Sequence, residues 1–225
     1  GQETPLATTL PAPATPIATQ VSQVDGMIQV YVPSGQFLMG SLEADPDAGK
    51  EEKPQRRVYL SAYWIDQTEV TNAMYLRCVR QGACRPPKET RSKSRPAYFD
   101  GPGFSNYPVI YVAWQDAEAY CRWAGRRLPS EAEWEKAARG TDGRPYPWGE
   151  ASPTPELANF NNRVGDTRPV GSYPAGASPY GALDMAGNVA EWVADWYDAD
   201  YYPVAPTSNP PGPATGLFRV LRGGS

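Results

Sequence analysis

Residues 141 to 202, from "TDGRPYPWGE" to "DWYDADYY", carry a turn-forming residue every few positions and keep neither a strand nor a helix period. Irregular segments of this length are uncommon in compact domains unless something organises them. The chain must therefore adopt a fold in which loops are held by stacked aromatics or bound ions rather than by regular hydrogen bonding. Its 21 Gly, 25 Pro and 12% aromatic content fit a turn-rich fold of this kind.

Regular elements flank that segment. "MIQVYVPSGQFLMGS" (27 to 41) alternates, turns at "PSG" and resumes, the signature of a hairpin, and "VYLSAYWID" (58 to 66) reads as one further apolar strand. The loop between them, "DPDAGKEEKPQRR", is acidic but lacks the ligand alternation and closing Glu of an EF-hand, and reads as a solvated loop. "EVTNAMYLRCVRQG" predicts a helix with Thr71 as N-cap and Gly82 near its end. In "YPVIYVAWQDAEAYCRWAG" a short strand precedes a helix whose Ala117, Tyr120, Cys121 and Ala124 share one face. "RRLPSEAEWEKAARG" predicts a third helix, with Ser130 and Glu133 at capping-box spacing and Gly140 just past its end. The final "GLFRVLRGGS" reads as a strand, Leu217 to Leu221, feeding a glycine turn.

Residues 1 to 25 are rich in Thr, Pro and Ala, have little charge and no hydrophobic period, and predict a linker or stalk tethering a folded domain over 26 to 225. A net charge of −4 without a block of like charges gives no footprint for nucleic acid or an anionic membrane. No apolar run reaches the roughly 18 residues of a membrane span, so no insertion by this chain is expected, only a tether at its N-terminal side. The chain has no histidine, which removes Ser-His-Asp, Cys-His and His-zinc chemistry from its own residues. Of three cysteines, Cys78 and Cys84 bracket a helix end and turn, where a disulfide closes sterically, while Cys121 reads as a small core residue. A disulfide implies an oxidising, extracytoplasmic setting.

The densest polar run is "YGALDMAGNVAEWVADWYD" (180 to 198). Asp184, Asn188, Glu191 and Asp195 offer hard oxygens around Gly187, and upstream "ANFNNRVGD" adds Asn159, Asn161, Asn162 and Asp166. From spacing alone two readings stay open: calcium loops, or Asx turns and caps with Trp192 and Trp196 as core.

Seven ordered motifs carry a family resemblance: "VPSGQFLMGS", "IDQTEVTNAMY", "YPVIYVAWQDAEAYCRWAGRRLPSEAEWEKAARG", "YPWGE", "ANFNN", "PVGSYPAGASPYGALDMAGNVAEW" and "RVLRGGS". Together they resemble the formylglycine-generating enzyme (sulfatase-modifying factor) domain over residues 26 to 225. The resemblance implies an α+β, C-type-lectin-like fold with small antiparallel sheets, about three helices and much irregular structure. It also implies one or two structural Ca2+ ions. The first would be held by Asn159 and Phe160, with Asn162 and Val164 from the same loop. The second would be held by Asp184, the carbonyls of Gly187 and Val189, and Glu191. Enzymes of the family oxidise a sulfatase cysteine with copper(I) held by two thiolates after the "GGS" motif; soft thiolates suit Cu(I). Ser225 resembles an active-site serine of those members, but no such cysteine pair follows it in this sequence, and copper is not expected here. The expected role is a non-catalytic, extracytoplasmic binding or scaffold domain stabilised by calcium, recognising a protein or surface ligand. The alternatives are a formylglycine-generating oxidase whose copper cysteines lie beyond Ser225, and a structural subunit of a surface or membrane assembly.

Overall fold

Strand pairing starts soon after the N-terminal prolines end. The computed structural model describes residues 17–46 and 48–224, and strand β1, Thr19–Val21, lies inside the stretch that composition assigns to a linker. Its Thr and Val side chains favour extended backbone, and it pairs antiparallel with β2, Ile28–Val32, matching Val21 to Ile28. The folded domain thus begins before residue 26. The first sixteen residues of the expected linker lie outside the described residues.

The expected hairpin at "PSG" does not form. Strand β2 pairs with β5, Tyr63–Asp66, to complete a β1-β2-β5 sheet, while β3, Gly35–Met39, pairs with β4, Arg56–Leu60, in a second sheet. "VYLSAYWID" is correspondingly two strands, and Ser61 and Ala62 carry the chain from one sheet to the other. The physical reason is that both edges of β2 are occupied, by β1 and by β5, which leaves none for β3. Lys136, only 1% exposed, ties the turn between β2 and β3 through Nζ, which donates to the carbonyls of Pro33 (2.7 Å) and Gly35 (3.0 Å).

Helix α1, Asn72–Arg80, opens on Thr71, whose side chain accepts from Met74 N at 3.2 Å. Helix α2 is Trp114–Trp123 and helix α3 is Glu131–Arg139. Ser130 and Glu133 form the reciprocal capping box, and Gly140 ends α3 with φ 69°, a conformation that favours glycine. Helix α3 is wedged between the two sheets. Trp134, Ala137 and Ala138 pack with Val30, Val32, Ile65 and Val193, whereas Ala132 packs with Phe37, Met39, Val58 and Leu60. Alanines on both flanks let the sheets approach closely.

From residue 140 to 190 the only helical or strand element is a 3-10 turn at Pro174–Gly176, as the turn density predicts. Strand β6, Glu191–Trp196, follows, then the short helix α4, Tyr201–Val204. Strand β7, Arg219–Arg222, pairs with β6 and starts two residues later than the expected 217. Arg219 is held between Trp114 and Trp196, its guanidinium carbon 3.6 and 3.5 Å from the ring centroids. The result is the α+β architecture with small antiparallel sheets that the motifs imply; among the described residues its helices are α1, α2 and α3 with the one-turn α4 beside them.

Cys78 and Cys84 form a disulfide with Cα atoms 5.3 Å apart, in a cluster with Tyr75, Phe99 and Tyr120. It closes a loop with a sequence separation of only 6, so chain-entropy reasoning gives it about 2 kcal/mol. Cys78→Ser with Cys84→Ser should lower the urea-unfolding free energy by about that amount. Thiol titration of the unfolded, unreduced protein should find Cys121 alone; three reactive thiols would contradict the pairing.

Candidate functional site

Two loops meet behind β6. The second of the predicted loops, 183 to 190, is built on left-handed backbone: Asp184 has φ 57°, Gly187 92° and Asn188 60°. At Gly187 a side chain is impossible, because a Cβ would lie 2.4 Å from the Asn159 carbonyl oxygen. That contact presses the two predicted calcium loops together. Asn188 pins the junction: its backbone N donates to Asn159 O at 2.8 Å, and its Oδ1 accepts from Arg168 N at 2.8 Å and from Asn159 Nδ2 at 3.3 Å. Asn188 Nδ2 donates to Glu69 Oε1 at 2.8 Å and to Arg168 O at 3.2 Å. Asn188 therefore orders the loops and has no free side-chain oxygen to offer.

Three carboxyl groups gather here. Asp184 is 5% exposed, and its Oδ2 accepts from Gly171 N at 2.6 Å. Glu191 accepts from Trp134 Nε1 through Oε2 at 2.9 Å. Glu69 arrives from the segment leading into α1; it is 7% exposed, and its carboxyl hydrogen-bonds with that of Asp184. Burial pushes the Glu191 carboxyl up to about 7, with Asp184 and Asp66 adding to the rise. Burial also raises Asp184, and it raises Glu69 well above the usual range with help from Asp184 and Glu191. No guanidinium or ammonium is among the groups that set these shifts. Buried carboxylates without a counter-charge are costly.

The donor set fits a hard cation. Among the described residues no three His, Cys, Asp or Glu side chains stand close enough to chelate an ion by themselves, so an ion here would draw on carbonyls as well. Asp184, Glu191 and the carbonyls of Gly187 and Val189 are such a mixed oxygen set. Gly223 sits against it: a Cβ there would lie 3.5 Å from Val189 O and 3.9 Å from Met185 O. The closing "RGG" thus runs past the second loop.

The first loop is arranged differently. Asn159 is buried and donates through Nδ2 to Asp166 O at 3.0 Å, and the Phe160 carbonyl accepts from Arg163 N at 3.2 Å. Asn162 turns outward, its Oδ1 accepting from Lys93 Nζ at 2.7 Å, and Val164 is 43% exposed. The acidic side chain drawn in beside Asn159 is Asp166, and its needs are met. It accepts from Ser92 Oγ (2.6 Å), Ser94 N (2.9 Å), Ser94 Oγ (2.6 Å) and Thr167 N (2.8 Å), and pairs with Arg95 at 3.4 Å. Burial works to raise this carboxyl, yet the hydrogen bonds from Ser92 and Ser94 outweigh it and hold it at about 2. The first loop therefore shows no orphaned charge of the kind that marks the second.

Sequence reasoning did not find Glu69. Nothing local singles it out, and only pairing across 119 positions to Asn188 shows that it belongs to the site. Cys121 is partly buried, and burial pushes its thiol up to about 12, with Asp66 contributing. With Cys78 and Cys84 joined, the described residues supply no thiolate pair. Ser225 lies outside the described residues.

Comparison with known proteins places this arrangement. The family model described as a sulfatase-modifying factor enzyme 1-like domain matches residues 14–225. A serine/threonine-protein kinase of Chlamydia caviae is 39% identical over 209 residues, 87% of this chain but 32% of the kinase, so the chain spans about a third of that relative. The formylglycine-generating enzyme of Streptomyces coelicolor is 36% identical over 247 residues, 88% of this chain and 78% of the enzyme. Among solved structures, PvdO from Pseudomonas aeruginosa superposes with a TM-score of 0.76 at 27% identity, covering 93% of this chain and 86% of PvdO.

Proposed function

The chain belongs to the sulfatase-modifying factor enzyme 1-like family, and we propose that within it these residues form a non-catalytic binding or scaffold domain, displayed outside the cytoplasm and stabilised by one calcium ion. The observation that carries the calcium reading is the buried Asp184–Glu191 pair, which has Glu69 beside it and no counter-charge. Asp184, Glu191 and the carbonyls of Gly187 and Val189 would hold the ion. A divalent cation there would neutralise the pair and crosslink a loop that has no core of its own to the start of β6. In this reading the cysteines of the described residues are structural: two are joined, and burial holds the third as a neutral thiol. The disulfide supports the extracytoplasmic setting, and no helix among the described residues is long and apolar enough to cross a membrane. The partner is a protein or surface ligand.

Calcium at about 100 times its dissociation constant adds about 2.7 kcal/mol. For a chain of this size that raises the melting temperature by about 5–10 °C. Scanning calorimetry with calcium and with a chelator should show that difference, and Glu191→Gln should erase it. Identical melting in both buffers would refute the ion.

The likeness to the Streptomyces coelicolor formylglycine-generating enzyme favours a second, catalytic reading. It is tested on the natural full-length protein with a cysteine-containing sulfatase peptide and copper(I). Mass spectrometry showing loss of the thiol and gain of an aldehyde would replace the non-catalytic reading.

A further inference from the structure

Strand β7 pairs with β6 on one side only. Phe218 turns its carbonyl toward β6, where it accepts from Tyr197 N at 2.8 Å. Alternate residues of a strand address the same neighbour, so Arg219 and Leu221 turn their N–H and C=O groups away from β6. Among the described residues no group bonds to them on that side.

Natural sheets guard a free edge with lysine, proline, a bulge or a charge that points into it. The run "LFRVL", residues 217 to 221, carries no lysine or proline. Its one charge, Arg219, is folded back between Trp114 and Trp196 and donates through Nη1 to Ala194 O at 2.6 Å. What stands around the edge is apolar: Leu217 is 90% exposed, Phe218 69% and Leu221 47%. These three side chains leave on the order of 400 Å² open, as much as the largest apolar patch of an ordinary monomer. Laid against a copy of itself with the strand backbones between, the surface reaches about 1,000 Å², where specific interfaces begin.

We propose that this edge joins two copies of the chain, β7 pairing antiparallel with the partner's β7 about a two-fold axis at Val220. A strand that pairs with itself closes the assembly as a symmetric dimer and merges the two β6–β7 sheets into one. The register follows from charge. Centred on Val220, Arg219 lies across from the partner's Leu221, and Phe218 lies across from the partner's Arg222. Centred on Arg219, two guanidiniums would stand directly opposite, which is destabilising. The Val220 register also matches the outward backbone groups of Arg219 with those of the partner's Leu221, so each finds the partner it lacks in one copy. Strand β1 is the poorer edge for this role, because Val21 is its one apolar residue beside Thr19 and Gln20. The inference is independent of the calcium reading.

Sedimentation velocity of the natural full-length protein across the micromolar range is expected to show a reversible monomer–dimer equilibrium. Phe218→Asp and, separately, Leu221→Lys, both at exposed positions, are expected to weaken it at least tenfold, whereas Val21→Lys on the β1 edge should leave it unchanged. Amide exchange at Arg219 and Leu221 should slow at least tenfold as the dimer forms, which apolar contact without strand pairing would not produce. That reading is made on the unsubstituted protein, so it stands even if a variant misfolds. A protein that stays monomeric, a dimer that persists undiminished in either β7 variant or is lost in Val21→Lys, or Arg219 and Leu221 amides that exchange alike in monomer and dimer would each overturn the proposal.

Discussion

Asp25→Ala should lower the unfolding free energy at pH 7 by about 3–5 kcal/mol, the usual cost of removing one member of a buried, hydrogen-bonded ion pair. The Asp25 side chain is fully buried. Its Oδ1 accepts from Met27 N at 3.2 Å and Arg126 Nη1 at 3.1 Å, and its Oδ2 accepts from Tyr120 Oη at 2.6 Å and Arg126 Nη2 at 2.5 Å. Without it, Tyr120 loses its acceptor and Arg126 keeps only Asp66 at 3.3 Å, although Arg126 Nε already has no partner. Burial works to raise the Asp25 carboxyl, but hydrogen bonds from Arg126, Ser22 and Tyr120 outweigh it and hold the group well below the usual carboxylate range. The sign of the pH effect follows. Below pH of about 4 the unfolded chain takes up this proton more readily than the folded one, so the contribution is complete above that pH and is lost as the pH falls. Urea titrations at pH 7 and pH 3 should find the variant's deficit smaller in acid. A deficit under about 1 kcal/mol at pH 7, or one that grows in acid, would refute this account.

That Asp25 lies at the end of a segment composed like a linker shows where sequence reasoning stops. What could be read was local. The Thr71 cap, the Ser130–Glu133 box, the Gly140 terminus and the Cys78–Cys84 bridge each depend on residues within a few positions of one another, and each is present. The apolar face of α2 was legible for the same reason: its period is intrinsic to the helix, and Tyr120 and Ala124 are buried. Sheet membership was not. Strands β2 and β3 carry the alternation of a hairpin, but both edges of β2 are taken by β1 and by the more distant β5, which no local pattern announces. At the candidate site, Asp184 and Glu191 announced themselves by residue type near a glycine turn. Glu69 and Asp166 take their roles from distant partners, Asn188 in one case and Ser92, Ser94 and Arg95 in the other. Helix periodicity likewise gives no reason to bury Glu135 and Lys136, because it assumes one apolar face, whereas α3 has a sheet on either side.

Glu135→Ala is expected to cost at least about 3–5 kcal/mol and to loosen the segment that carries "RGG". Glu135 is 1% exposed and gathers four donors from separate parts of the chain. Its Oε1 accepts from Gly40 N at 2.7 Å and Arg139 Nη1 at 2.6 Å, and its Oε2 from Arg222 Nη2 at 3.3 Å and Tyr202 Oη at 3.4 Å. Arg139 retains three carbonyl acceptors, on Gly40, Gly143 and Arg144, so its share of the loss is small. Arg222 is worse placed. It is left with Glu131 at 3.5 Å and the distant Glu52 at 4.0 Å, and its Nε is already unpartnered. Because Arg222 is the last residue of β7, its release should free Gly223, which packs against the Val189 and Met185 carbonyls of the candidate calcium loop. The variant should therefore combine a lowered urea midpoint with faster amide exchange in β7 and in residues 185 to 190. Glu135→Gln, which keeps the shape and one acceptor, should lose less. If Glu135→Ala is destabilised but exchange in β7 and that loop is unchanged, α3 does not couple the core to the candidate site, and the energetic link argued between them fails.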